Sequence, residues 1–82
     1  MKWSEAVEMI ALVLDDVAWE IGKQASPAVV ARARLLIGEV RAATPQTLLP
    51  ILRRVCDLFG LGPAFVTFVE RTLSQTEEWL GP

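Results

Sequence analysis

Residues 3–21 read WSEAVEMIALVLDDVAWEI, and the reading of this stretch decides the fold. Trp3, Val7, Ile10, Leu14, Val17 and Ile21 recur at alternating steps of four and three, with Ala6 and Val13 beside them. That is the spacing of one helix face, not of a strand. Gly22 closes the helix. Two residues break the pattern. Leu12 and Trp19 are seven apart, so on a wheel of 100 degrees per residue they nearly superpose, on the side opposite the stripe. Glu5, Glu8, Asp15, Asp16 and Lys23 surround them. Either this is a docking stripe with a charged rim, or it is a second internal packing face, with Trp79-Leu80 folded over Trp19.

Proline sets the rest of the organisation. Ser26-Pro27, Thr44-Pro45 and Gly62-Pro63 each put a cap-like residue before a proline. That combination marks a helix start, because the first turn has no use for the N–H that proline lacks. Helix 2 is expected over 27–42, with Val29, Val30, Ala33, Leu36, Ile37 and Val40 inward. An interior Pro50 would cost about 3 kcal/mol, so helix 3 is placed over 47–59, with Thr47 as its cap and Pro50 in its first turn. Leu48, Leu49, Ile51, Leu52, Val55, Cys56, Leu58 and Phe59 leave that helix only a narrow polar strip, which predicts a central helix. Helix 4 is expected over 63–80, with Phe65, Phe68, Val69, Leu73 and Trp79 or Leu80 inward, and Gly81-Pro82 reads as its stop. The prolines are evenly spaced, but the apolar positions between them do not superpose, so the spacing is not a repeat. The expected architecture is all-α: a compact four-helix bundle-like domain spanning residues 1–82.

A chain of 82 residues that is 52% hydrophobic has more apolar surface than it can hide. A domain this small buries only roughly 60–65% of what its unfolded chain exposes. A partner or a second copy is the expected cover, which points to a homodimer or larger assembly. The longest uncharged runs, AATPQTLLPIL (42–52) and LFGLGPAFVTFV (58–69), are short and broken by Pro or Gly, so no membrane span is expected. The start is not a signal peptide, since MIALVL (9–14) is too short and is flanked by acids. A single cysteine, Cys56, allows no internal disulfide and fits a reducing, cytoplasmic setting.

Catalysis finds no footing. The chain has no His and no Tyr, which removes the commonest general base. Cys56 has no imidazole to activate it and sits among Leu52, Val55 and Phe59, where burial raises a thiol pKa. Asp15-Asp16, like Glu77-Glu78, are adjacent and diverge by about 100 degrees on a helix, so they cannot clamp one proton or ion. Glu5, Glu8, Asp15 and Asp16 match no metal-binding spacing, and Gly60 and Gly62 lack the lysine of a phosphate loop. No enzyme activity, metal or cofactor is expected.

The net charge of −2 conceals a division: −4 over residues 1–20, +5 over 21–56 and −3 over 57–82. Basic middle helices could pair with acidic outer ones inside the bundle, each pair contributing little. The alternative is two faces of opposite sign, suited to orienting a partner. The basic middle also admits a helix-turn-helix-like reading of helices 2 and 3. There Gln46 and Thr47 would approach base edges while Arg41, Arg53 and Arg54 held phosphates. Against it, Leu48, Leu49, Pro50 and Ile51 crowd the start of the would-be recognition helix, and the pI is near 5.0. Phe59, Leu61, Phe65 and Phe68 could wedge into a lipid surface, but no Lys or Arg surrounds them as an anionic membrane requires; they read as the core of that corner.

The remaining reading is protein–protein interaction by a non-enzymatic module: an inhibitor, an adaptor or an assembly subunit. Trp19 is the residue type that anchors interfaces, and acids around it select among partners. The candidate partner-binding residues are Leu12, Trp19, Asp15, Asp16 and Glu8, with Leu35 on helix 2. Ala28, Ala31, Leu35 and Gly38 lie off that helix's main stripe and are small enough to admit another helix, unless a neighbour within the bundle covers them.

Overall fold

In the computed structural model, which describes residues 1–77 and Trp79, the chain forms four α-helices. These are α1 (Trp3–Gly22), α2 (Pro27–Arg41), α3 (Leu48–Phe59) and α4 (Pro63–Ser74). The fold is therefore all-α, as the periodicity indicates. Local chemistry explains the boundaries. The Glu5 carboxylate accepts from the Lys2 N–H (3.4 Å) at the start of α1. Ser26 Oγ accepts from the Val29 N–H (3.4 Å), with Pro27 as the first residue of α2; this uses one of the four amides a helix start leaves unpaired.

Four boundaries differ from the sequence expectation. Gly22 does not close helix 1 but is its last helical residue, with Lys23 as the C-cap. Helix 2 ends one residue early, with Ala42 as its C-cap. At α3, Thr47 holds the cap position but does not cap: its hydroxyl turns back and accepts from the Thr44 N–H at 2.9 Å. Pro50 lies in the first turn, as expected. Helix 4 stops at Ser74, not 80, because hydroxyls compete for its last carbonyls. Thr72 Oγ1 donates to Phe68 O, Ser74 Oγ to Arg71 O and Thr76 Oγ1 to Thr72 O. Such back-bonding competes with the backbone bonds that would carry the helix on. Leu80 and the Gly81-Pro82 stop lie outside the described residues.

Packing centres on α1, the one helix that touches all three others. Ile10 and Leu14 of α1, Ile37 and Val40 of α2, Leu48 and Val55 of α3 and Leu73 of α4 are fully buried together. Helix 3 is thus not the central one. Its apolar circumference is divided: Leu48, Leu52 and Val55 face the core, while Leu49 and Cys56 line a cleft toward α4. No Cα of α3 comes within 8 Å of a Cα of α4. Their junction explains the separation, since Gly60 turns the chain in a left-handed conformation (φ 64°) and closes α3 through its N–H to Cys56 O.

A Cβ on Gly60 would meet nothing within 4 Å. Gly60→Ala should therefore cost only the backbone strain of the left-handed region, about 1–2 kcal/mol. Urea unfolding would show it as a lower midpoint with an unchanged slope. A stability equal to wild type would mean that the turn has relaxed to another conformation.

The core covers only part of the α1/α2 hairpin. From Asp15 to Arg32 no residue is buried, so the hairpin tip lies beyond the core of a molecule 38 Å long and 18 Å thick.

Candidate docking surface

The outer face of the α1/α2 hairpin, opposite α3 and α4, holds the residues that break the helix 1 pattern. Trp19 is 71% exposed and Leu12 53%. Trp19 therefore does not belong to the core, and Trp79 does not fold over it. Instead Trp79 stacks on Trp3, with ring centroids 6.3 Å apart and planes 12° from parallel. On α2, Leu35 is 73% exposed, and Ala28, Ala31 and Gly38 are exposed around it. Among the described residues no helix covers this second apolar face.

Two shallow clefts join the helices here. One, of about 350 Å³, is lined by Asp15, Ala18, Trp19, Gly22, Val30 and Arg34. The second adjoins it on α2 and shares Gly22, Val30 and Arg34 while adding Ala25, Ala31 and Leu35. Together they form one strip from Trp19 across the helix seam to Leu35. Gly22 lies on the floor between the helices, where a Cβ would lie 3.6 Å from Val30.

Charge divides along the same seam. Arg41 reaches from α2 to α1, giving Nε and Nη2 to the two Glu8 carboxylate oxygens (3.0 and 3.3 Å) and Nη2 to Asp15 Oδ2 (2.7 Å). The Glu8 and Asp15 hydrogen bonds push the Arg41 pKa further above its already high value, so this clasp keeps its cation at every accessible pH. Two of the candidate rim acids thus fix α1 against α2 while remaining at the surface. Asp16 on α1, and Arg32 and Arg34 on α2, are exposed and make no ion pair among the described residues. The outer face therefore has an unpaired acid, Asp16, on α1 and two unpaired arginines, Arg32 and Arg34, on α2, with Glu39, likewise exposed and unpaired among the described residues, one heptad from Arg32 on the same side.

The nucleic-acid set is dispersed. Arg41 is held by its two acids, and the Thr47 hydroxyl is engaged with Thr44. Gln46, Arg53 and Arg54 are exposed, and Arg53 stands on the rim of the α3/α4 cleft with Asp57 and Glu70. Among the described residues no three side chains are grouped to hold a metal ion, and no helix is long and apolar enough to cross a membrane. Phe59, Leu61, Phe65 and Phe68 are half-buried and pack against the core.

One feature escaped the sequence reading. The α3/α4 cleft, about 500 Å³, is walled by Leu49, Leu52 and Cys56 on one side and Phe65, Val66 and Val69 on the other. Burial, and secondarily Asp57, push the Cys56 thiol pKa up, which makes it a packing group with little nucleophile character. The signal was present as an apolar circumference too wide for one neighbour, but periodicity does not say whether the second stripe is covered. Neither a protein-family model, nor a curated protein, nor a solved structure matches this chain.

Proposed function

We propose that the protein is a non-enzymatic protein-interaction module whose docking surface is the outer face of the α1/α2 hairpin. One observation carries this reading: Trp19 stands 71% exposed beside an open cleft, with Leu12 and Leu35 exposed to either side. Leaving a tryptophan in water forfeits about 1.5–3 kcal/mol or more of burial free energy, and nothing in the chain's own packing demands it. Aromatic anchors bordered by charge are what partner-binding surfaces use for affinity and selection.

The test compares wild type with Trp19→Glu as baits in lysate of the cells that make the protein. The variant should keep its helical content and melting temperature, because the side chain stands mostly in solvent outside the buried core, and should lose the species that wild type retains, further copies of the chain included. If both baits retain the same species, the docking surface lies elsewhere. If the variant unfolds, Trp19 is structural and the reading fails. The helix-turn-helix reading has less support, since two of its five contact residues are already occupied within the chain.

A further inference from the structure

The outer hairpin face is complementary to itself, and we propose that it docks a second copy of this chain, α1 of each copy lying antiparallel on α2 of the other about a two-fold axis parallel to the helices. This rests on the docking reading above and adds the partner. Three observations carry it.

The first is charge. A two-fold axis perpendicular to the helices would lay α1 on α1 and α2 on α2, setting the edge that carries Asp16 and Glu20 against the same edge of the other copy and the edge that carries Arg32 against its own counterpart. The parallel axis exchanges the edges, so the unpaired acid of α1 meets the unpaired arginines of α2. Closed two-fold association needs this self-complementarity.

The second is level. Gly22 lies beside Val30 and Glu8 beside Arg41, which sets the register of the antiparallel pair. At 1.5 Å per residue, Trp19 is level with Ala31 and Arg32, Asp16 with Leu35, and Leu12 with Gly38 and Glu39. A parallel two-fold axis preserves these levels across the interface. Trp19 then covers the low surface made by Ala28 and Ala31, and Leu12 fits over Gly38 beside Leu35. Asp16 and Glu20 flank Arg32 at the rim, and Arg34 reaches Asp15 of the second copy at the seam. Trp19 and Leu12 of each copy thus face small residues of the other, and Asp16 faces an opposite charge at Arg32.

The third is Gly38 itself. A glycine in a helix interior costs about 1 kcal/mol relative to alanine, and a Cβ at Gly38 would meet nothing within 4 Å in its own chain. Nothing internal requires it, whereas a close helix approach from outside does.

Light scattering and sedimentation equilibrium, from micromolar to near-millimolar chain, test the proposal. Wild type should reach about twice 9.0 kDa, and its dimer should weaken as salt rises. Gly38→Leu should keep the helical content and the melting temperature of the monomer, because the added side chain enters open space, while abolishing the dimer. Asp16→Arg and Arg32→Glu should each weaken self-association about tenfold, by placing like charges opposite one another at two symmetric positions. An equimolar mixture of these two variants should form a heterodimer near wild-type affinity, because each pairs the other's reversed charge. A monomeric wild type at every concentration overturns the second copy as partner and leaves the docking reading to the Trp19→Glu comparison. A dimer indifferent to Gly38→Leu and Trp19→Glu overturns both, and moves the interface to another face such as the α3/α4 cleft. Single variants that dimerise as well as wild type, or a mixture that fails to recover, overturn the parallel two-fold arrangement.

Discussion

Leu14→Ala is expected to lower the free energy of unfolding by about 2–5 kcal/mol, the range found for leucine truncation in a closed core. Leu14 is fully buried and lies on α1, the helix against which the other three pack. Its deletion removes contacts to several helices at once, and an 82-residue domain has little reserve, since total stabilities of 5–15 kcal/mol are typical and small chains sit at the low end. The informative control is Val17→Ala, three residues on and half-buried at the edge of the hairpin tip. It should cost about 1 kcal/mol or less, because a half-exposed methyl pair has less transfer free energy to lose and leaves no closed cavity. Urea unfolding followed by circular dichroism measures both. Equal losses would show that the tip is packed as tightly as the core, and the outer face would then owe its exposed residues to something other than incomplete cover.

That contrast between Leu14 and Val17 marks what the sequence could reveal. Both belong to the same apolar stripe, and periodicity assigns them to the same face. What it does not encode is how far along a helix its neighbours extend. Helices α3 and α4 are 12 residues each, against 20 for α1, so they cover its first two-thirds and leave the rest to α2 alone. The same limitation explains the misplacement of α3 as central. An apolar circumference reports that a helix could be covered all round, while the Gly60 turn decides that α4 swings away from it. The outward direction of Leu12, Trp19 and Leu35 was legible, because a face opposed to a clear stripe points to solvent unless something else covers it. The Arg41 clasp was not, since the charge blocks along the chain gave its sign but not its partners. The end of α4 was missed for a local reason, as Thr72, Ser74 and Thr76 look neutral in a helical pattern until their hydroxyls are seen to take the carbonyls of the preceding turn.

The charge layout of the folded protein reconciles the two readings that the sequence left open. Arg41 pairs within the chain, which is the internal solution. Arg32, Arg34 and Asp16 do not, which is the external one. Arg41 and its two acids link α1 to α2 at the seam, and Glu20 and Lys23 pair locally at the end of α1. Arg34 borders the seam cleft, and Asp16 and Arg32 stand exposed on the two helices. A hairpin packed on the core and clasped at its seam presents the remaining charges from helical positions, and preorganisation of this kind limits the entropy lost on docking.

Trp3→Ala is expected to cost about 2–4 kcal/mol, toward the lower part of the range for aromatic truncation because Trp3 is only partly buried. Two connections meet at this side chain. Its Nε1–H donates to Ala43 O at 2.7 Å, tying the start of α1 to the turn between α2 and α3. Its ring stacks on Trp79, holding the segment after α4 against α1. Close by in the fold, the Met1 amine donates to Gln75 O at 3.1 Å, at the end of that same helix. The two interactions of the indole can be separated. Trp3→Phe keeps a ring for Trp79 and removes the donor, leaving the Ala43 carbonyl without it, at about 1–1.5 kcal/mol. Trp79→Leu keeps the hydrogen bond and removes the aromatic pair, at about 0.5–1.5 kcal/mol beyond lost area. Thermal unfolding gives the magnitudes, and the near-ultraviolet circular dichroism of the stacked indoles distinguishes the routes: the signal should vanish in Trp79→Leu and in Trp3→Ala, while Trp19→Glu leaves it intact. Loss of the signal in Trp19→Glu alone would place Trp19, not Trp3, against the chain's end and would remove the free surface on which docking depends.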